Sequence, residues 1–272
     1  MNRSPREFYT MMWYPIPESA QYFMYKTKQS TTQPQKNKKL SQHTINHIQT
    51  IKKYSRLRNN LPFIKAVYLC DSTSFNATTE KSDIDLFFIV NHKSIRRARF
   101  RSVCIFWILW LKRTLQKKAW LFDLIFYVDE KKSDLSTIAL SPEDIYLTYR
   151  LAHLIPIYQE DPNTYNIYTH NQRIKNTLPN FPMKHSIGLP IQTIEGKWTI
   201  KKFLELLSGQ WADNFWEYII KHTRKPLVIK KKLRHWKQGR GVIINDFMLK
   251  FHLDKRKTIQ TNWNKTTTKK DQ

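Results

Sequence analysis

Ser82-Asp83-Ile84-Asp85 stands directly before the apolar run Leu-Phe-Phe-Ile-Val at 86–90. Side chains alternate along a strand, so residues two apart share a face. Asp83 and Asp85 then lie side by side, with Ile84 turned to the core. Left alone, two such carboxylates repel, and one is driven toward protonation. A divalent cation removes that cost. Hard oxygen ligands favour Mg²⁺, which keeps waters and takes phosphate oxygens as its remaining ligands.

Asp123 is the third acid of interest. It sits inside Trp-Leu-Phe-Asp-Leu-Ile-Phe-Tyr-Val at 120–128, an otherwise apolar strand. Alternation groups Phe122, Leu124 and Phe126 on one face and Asp123, Ile125 and Tyr127 on the other. A lone charge in such a strand is costly without a partner. If strands 83–90 and 120–128 are neighbours, Asp123 reaches the same cation. The plainer readings are a solvated turn at Asp83 and Asp85, and an ion pair from Asp123 to an arginine within 96–101.

The elements around these acids follow from periodicity. Residues 41–59 read as a helix capped by Ser41 or Thr44, with Ile45, Ile48, Ile51, Tyr54 and Leu57 on one face. Residues 64–70 and 83–90 read as strands, and 93–117 as a long helix with an apolar middle that should be buried on most sides. After the strand at 120–128, Ser141-Pro142 opens a helix that Pro156 ends. A helix over 162–178 follows, then a stripe at Phe203, Leu207, Trp211, Phe215 and Ile219. The stretch Gly-Val-Ile-Ile-Asn-Asp-Phe-Met-Leu-Lys-Phe-His at 241–252 offers a short strand and a helix. The predicted fold is α/β (α+β): a small mixed sheet flanked by helices at about 40–160, a helical region at 161–238, and a strand, helix and basic tail at 239–272. Residues 1–39 form a polar extension that should be partly disordered.

Composition narrows the classes. Hydrophobic residues make up 40%, enough for a sizeable core, while only five glycines and no Walker A or Rossmann pattern argue against a glycine-rich nucleotide loop. The formal charge of +26 suits an anionic partner such as RNA, or reflects a compositional bias toward lysine. The block at 221–240 holds nine Lys/Arg, no acid, and Trp236, which suits phosphate contacts with base stacking or a solvated helical face. Cys70 and Cys104 lack metal-ligand spacing and read as buried thiols in a reducing compartment. The longest apolar run is nine residues, Val103 to Leu111, against about 20 for a membrane span. With no signal-peptide pattern, a cytoplasmic protein is expected. His43 and His47, four apart on the first helix, can pair on a metal but read more plainly as polar surface.

The segment Leu-Cys-Asp-Ser-Thr-Ser-Phe-Asn-Ala-Thr-Thr-Glu-Lys-Ser-Asp-Ile-Asp-Leu at 69–86 resembles the signature of the DNA polymerase beta-like nucleotidyltransferase superfamily. That signature is a strand, Gly-Ser, about ten polar residues, Ser-Asp-x-Asp, a second strand, and a third acid one strand later. The spacing from Ser72 to Asp83 is similar to that in small bacterial members. The resemblance covers about 41–155. It implies a nucleotidyltransferase that moves a nucleoside monophosphate from an NTP such as ATP to an acceptor hydroxyl. Asp83 and Asp85 would hold two Mg²⁺ ions, and Asp123 would complete the second site or take the acceptor's proton. Ser72, with Thr73 and Ser82, would lie on the phosphates, and Arg96 and Arg97 would hold triphosphate oxygens.

One residue departs from the pattern: Asp71 stands where the family has glycine. A charge placed about 4 Å from a phosphate costs roughly 1 kcal/mol in water and about 4 at an effective dielectric of 20. Asp71 turns away, binds metal itself, or marks a degenerate domain that binds RNA or another polyanion without catalysis.

Overall fold

The computed structural model describes residues 40–55, 61–109, 111, 121–140, 144–177, 192–193, 205 and 242–250. Within them, Gln42–Lys53 (α1) precedes strand Ile64–Leu69 (β1), the one-turn helix Asp71–Ser74 (α2) and strand Ile84–Val90 (β2). Helix Ile95–Ile108 (α3) then leads to strand Phe122–Asp129 (β3). Helix Ile145–Ala152 (α4), strand Ile155–Gln159 (β4) and the short helices Ile167–His170 (α5) and Gln172–Thr177 (α6) follow. Three further short strands, Gln192–Thr193 (β5), Ile243–Ile244 (β6) and Met248–Lys250 (β7), join the same sheet. Its order is β5-β4-β1-β2-β3-β7-β6. The β2–β3 and β4–β5 pairs are parallel and the others antiparallel. This is a mixed α+β fold, and its sheet extends past residue 160.

Alternation along the strands divides the core into two layers. Ile64, Val67 and Leu69 of β1 and Ile84, Leu86, Phe88 and Val90 of β2 face α1 and α3. Ala66 and Tyr68 of β1, with Phe87 and Ile89 of β2, face α4, α5 and α6. Both faces of β2 are buried along its whole length, as expected of a central strand covered on both sides.

The helix at 42–53 starts where the cap chemistry places it: the Ser41 hydroxyl accepts from Thr44 N at 3.1 Å. Ile48 and Ile51 are buried, and so are Thr44 and His47 on the same inner face. On α3, the buried positions Ile95, Ala98, Ser102 and Phe106 form one stripe. The apolar end of that helix is not buried on most sides, as its composition suggests; Trp107 and Ile108 are 68% and 65% exposed. A single helix packed on one sheet face covers only one stripe, whatever the composition of the rest.

Several boundaries differ from the periodicity reading. Helix α4 begins at Ile145, with the Asp144 carboxylate capping Leu147 N at 2.9 Å. It ends at Ala152, and Pro156 lies inside β4 instead of closing the helix. Proline lacks the donor a ladder needs, and the β1–β4 register shifts between Val67 and Tyr68, beside the residue that pairs with Pro156. The segment 162–178 is two short helices broken at Asn171. Residues 243–250 form a β-hairpin, not a strand and a helix. Cys70 is buried and Cys104 only half-buried, and neither forms a disulfide. The stripe at 203–219, apart from Glu205, the basic block at 221–240 and the extension at 1–39 lie outside the described residues.

Candidate functional site

Asp85 and Asp123 face each other across the parallel β2–β3 ladder, and Asp83 immediately precedes β2. The three residues each offer a carboxylate oxygen such that these atoms lie within 4.8 Å of one another. Asp85 is buried and the other two half-buried, so the group is anchored in the sheet and partly covered. Strand neighbours lie about 4.8 Å apart, so the register alone brings Asp85 and Asp123 into range. Past the acids the ladder slips: Leu86 pairs with Leu124, but Phe87 pairs with Phe126. Ile125 is the extra residue, and both it and Phe126 pack toward α4, while Tyr127 turns to the α3 side. The simple alternation of 122–127 is therefore broken after Ile125, and Asp123 keeps its face because it lies before the slip.

Burial, and then the negative charges of Asp71, Asp83 and Asp123, push the Asp85 carboxyl well above the usual carboxylate range; Arg150 opposes them. A cation on these oxygens relieves that repulsion, and three hard carboxylate donors fit a divalent ion.

Asp71 explains itself once the tertiary structure is in view. Its φ of 53° lies in the left-handed region, where glycine is free and aspartate is among the better-tolerated alternatives. Its carboxylate accepts from Arg150 Nη2 at 2.5 Å, and the two side chains are only 13% and 10% exposed. Burial works against the Arg150 charge, but Asp71, with Tyr146, Cys70 and Asp85, outweighs it and holds the guanidinium firmly protonated. The extra negative charge at this turn is thus matched by a buried cation.

The turn residues have distinct environments. Ser72 is half-buried, its carbonyl accepting from Ala77 N at 2.8 Å. Thr73 is fully buried, and its hydroxyl shares a 2.9 Å hydrogen bond with His47 Nδ1. That bond turns Thr73 toward α1 and away from a phosphate role. It also places His47 in the interior, against its reading as polar surface. The Ser82 hydroxyl accepts from Thr79 N at 2.9 Å and closes the turn before Asp83. Helix α1 grips the same loop at its N-terminus, where Ser41 N donates to Asn76 Oδ1 at 3.0 Å and the Thr44 and Thr78 hydroxyls meet at 2.6 Å.

Arg96 and Arg97 do not join the acids. They follow the opposite end of β2, about 20 Å from Ile84 at 3.3 Å per residue. Arg96 pairs with Asp246 in the β6–β7 turn at 2.8 Å, and Arg97 lies over the Phe63 ring at 5.2 Å. Of that arginine run, Arg99 is half-buried; desolvation lowers its pKa, against the raising charges of Tyr127 and Asp123.

The charge of Arg150 on α4 acts on Asp85 and that of Arg99 on Asp123, while Lys250 lies on β7. Lys250 pairs with Phe126 and is buried. A narrow cavity beside Asp71 is lined by Cys70, Tyr146, Arg150, Lys250 and neighbouring apolar side chains. Composition hid both: each is a single basic residue in an apolar stretch, Tyr-Arg-Leu and Leu-Lys-Phe. That isolation was itself the available signal, since a lone charge in an apolar segment needs a partner.

No protein-family model, curated protein or solved structure matches the chain. No helix among the described residues is long and apolar enough to cross a membrane.

Proposed function

We propose that the chain is a magnesium-dependent nucleotidyltransferase, moving a nucleoside monophosphate from an NTP to an acceptor hydroxyl. The observation that carries this reading is the convergence of Asp83, Asp85 and Asp123 from adjoining strands. The segment at 69–86 adds its resemblance to the DNA polymerase beta-like superfamily.

In this reading Asp83 and Asp85 hold two Mg²⁺ ions, and Asp123 completes the second set of ligands or takes the acceptor's proton. When bound, the metal supplies Lewis-acid polarisation of phosphoryl oxygens and eases ionisation of the attacking hydroxyl. The residues' own part is to stay fixed. Asp85 and Asp123 are held by a rigid ladder, and His47 and Ser41 hold the loop that carries Ser72 and leads to Asp83. The match of Asp71 by Arg150 answers the charge objection to triphosphate binding. The formal charge of +26 favours RNA among acceptors.

Incubation with each labelled NTP and Mg²⁺, with and without RNA, tests the reading. Label transfer by the wild type that Asp83→Asn abolishes supports it. Absence of transfer, with salt-sensitive RNA binding that survives the substitution, assigns the chain to polyanion binding without catalysis.

A further inference from the structure

Five large apolar side chains are exposed among the described residues, and three of them, Trp107, Ile108 and Leu109, are consecutive at the end of α3. The buried stripe of α3 ends at Phe106, so the residues after it turn away from the sheet. A contiguous apolar patch of this kind marks an interaction surface more often than an isolated exposed residue does. Its place in the fold is fixed by contacts to one side chain. Phe106 meets the Phe122 ring edge-on at 5.2 Å, and Tyr54, just past α1, meets the same ring at 6.3 Å. Leu111 joins them through the backbone: its N–H donates to Phe106 O at 2.8 Å, and its carbonyl accepts from Phe122 N at 2.9 Å. Phe122 directly precedes Asp123. The C-terminal ends of α1 and α3 therefore meet at the acid-bearing end of the β2–β3 ladder.

Charge decides what fits there. Lys52 and Lys53 in the last turn of α1 are exposed, Lys53 over the Tyr54 ring at 5.5 Å. Neither α1 nor α3 contains an acidic residue, and none occurs between Val90 and Asp123. An open indole beside cations on two acid-free helices complements a strand that offers phosphates and unpaired bases together.

We propose that the ends of α1 and α3 dock a single-stranded RNA acceptor, with the Trp107 indole stacked on a base and Lys52 and Lys53 on phosphates. Calling that strand the acceptor rests on the nucleotidyltransferase reading; the docking surface itself does not. Ile84, Leu86, Phe122 and Leu124 face the helices, so Asp85 and Asp123 project from the other face of the ladder. The strand then crosses the end of the sheet to bring its terminal hydroxyl to the acids.

Affinity of the full chain for a labelled oligouridylate of about 12 nucleotides, within the site sizes of single-strand binders, is measured by fluorescence anisotropy in EDTA without NTP. Trp107→Ala should weaken binding at least about fivefold, and Trp107→Phe, which keeps a stacking face, should stay within about threefold of wild type. The Lys52→Gln/Lys53→Gln variant should flatten the slope of log affinity against log salt by about 1.4, the share of two phosphates on a single strand. The same strand annealed to its oligoadenylate complement should respond to the lysine change and not to Trp107→Ala, because its bases are already stacked. These side chains are exposed, so the variants should fold, and circular dichroism at the assay temperature checks that they do.

Equal affinity of Trp107→Ala and wild type overturns the proposal, as does an equal loss on single strand and duplex. Absence of oligouridylate binding by the wild type overturns it too. Two other occupants give distinct results, each against RNA. A wild-type dimer in sedimentation that Trp107→Ala turns monomeric, with RNA affinity unchanged, assigns the patch to a second copy of the chain. Binding to phosphatidylserine vesicles that Trp107→Ala abolishes, again with RNA affinity unchanged, assigns it to a membrane surface. The two readings fail separately. Trp107-dependent strand binding without label transfer removes the nucleotidyltransferase reading and leaves the RNA surface. Label transfer without a Trp107 response removes the surface and leaves the nucleotidyltransferase.

Discussion

Asp85 and Asp123 stand opposite each other in the parallel ladder between β2 and β3, two positions before its register slips. Beyond the slip, Phe87 meets Phe126 edge-on at 5.0 Å on one face, and Phe88 stacks on Tyr127 at 4.6 Å on the other. Aromatic cross-strand pairs of this kind hold register. The acids therefore sit on a platform whose alignment is set by apolar packing further along the same two strands. They repel each other, yet nothing local can move them apart.

That crowding yields a prediction with opposite signs in two conditions. Without divalent cation, Asp85→Asn should raise the unfolding midpoint by a few degrees, because it removes a desolvated charge facing three others. With Mn²⁺ added, wild type should gain stability and the variant should not. Thermal melts with EDTA and with Mn²⁺ check both halves; Mn²⁺ affinity by electron paramagnetic resonance should fall at least about tenfold in Asp83→Asn and Asp123→Asn.

His47 sets a pH dependence of folding. Burial first, and the nearby His43 charge second, lower its pKa from 6.5 to about 4, against an opposing interaction with the Ser82 backbone. Between these values the unfolded chain binds the proton more readily than the folded one, so stability rises with pH there. The His47 contribution should be fully present above pH 6.5 and drain away as pH falls toward about 4. Midpoints measured across that window should drop for wild type and drop less for His47→Gln; parallel curves would assign the loss to other groups.

Tyr68 ties the second layer together. Its buried hydroxyl donates to the Tyr165 carbonyl at 2.5 Å and accepts from Gln159 Nε2 at 2.9 Å and Ile167 N at 3.1 Å. Tyr68→Phe leaves buried polar groups without that partner and should cost about 1–3 kcal/mol. Denaturant unfolding should show a lower midpoint with an unchanged slope, because packing of the ring is kept.

Ser41 is half-buried. Its hydroxyl caps α1 and also meets the Thr44 and Thr78 hydroxyls at 2.9 and 3.1 Å. Ser41→Ala should cost about 1 kcal/mol. Because the Ser41 backbone N–H still donates to Asn76, the loop before Asp83 should stay in place, and Mn²⁺ affinity should be near that of wild type.

Where neighbours in sequence decide a feature, the chain could be read directly. The Ser41 cap, strands β1, β2 and β3, and the common face of Asp83 and Asp85 all follow from periods of two and of three to four residues. That Asp123 joins them was a conditional reading, and it depended on β3 lying beside β2 in the correct register. Features that depend on distant pairing were misread. Pro156 looked like a helix stop but lies in β4, at a shift in the ladder that accommodates it. His47 looked solvated until Thr73 covered it. Arg96 and Arg97 follow β2 in sequence, yet a strand about 20 Å long carries them away from the acids. Arg150 and Lys250 are 79 and 179 residues from Asp71 along the chain, and they meet its cavity only because α4 and β7 pack there. Local periodicity sets which way a side chain faces along its own element. Which charges come together is decided by strand order and register, and those depend on packing between segments that no short window of sequence contains.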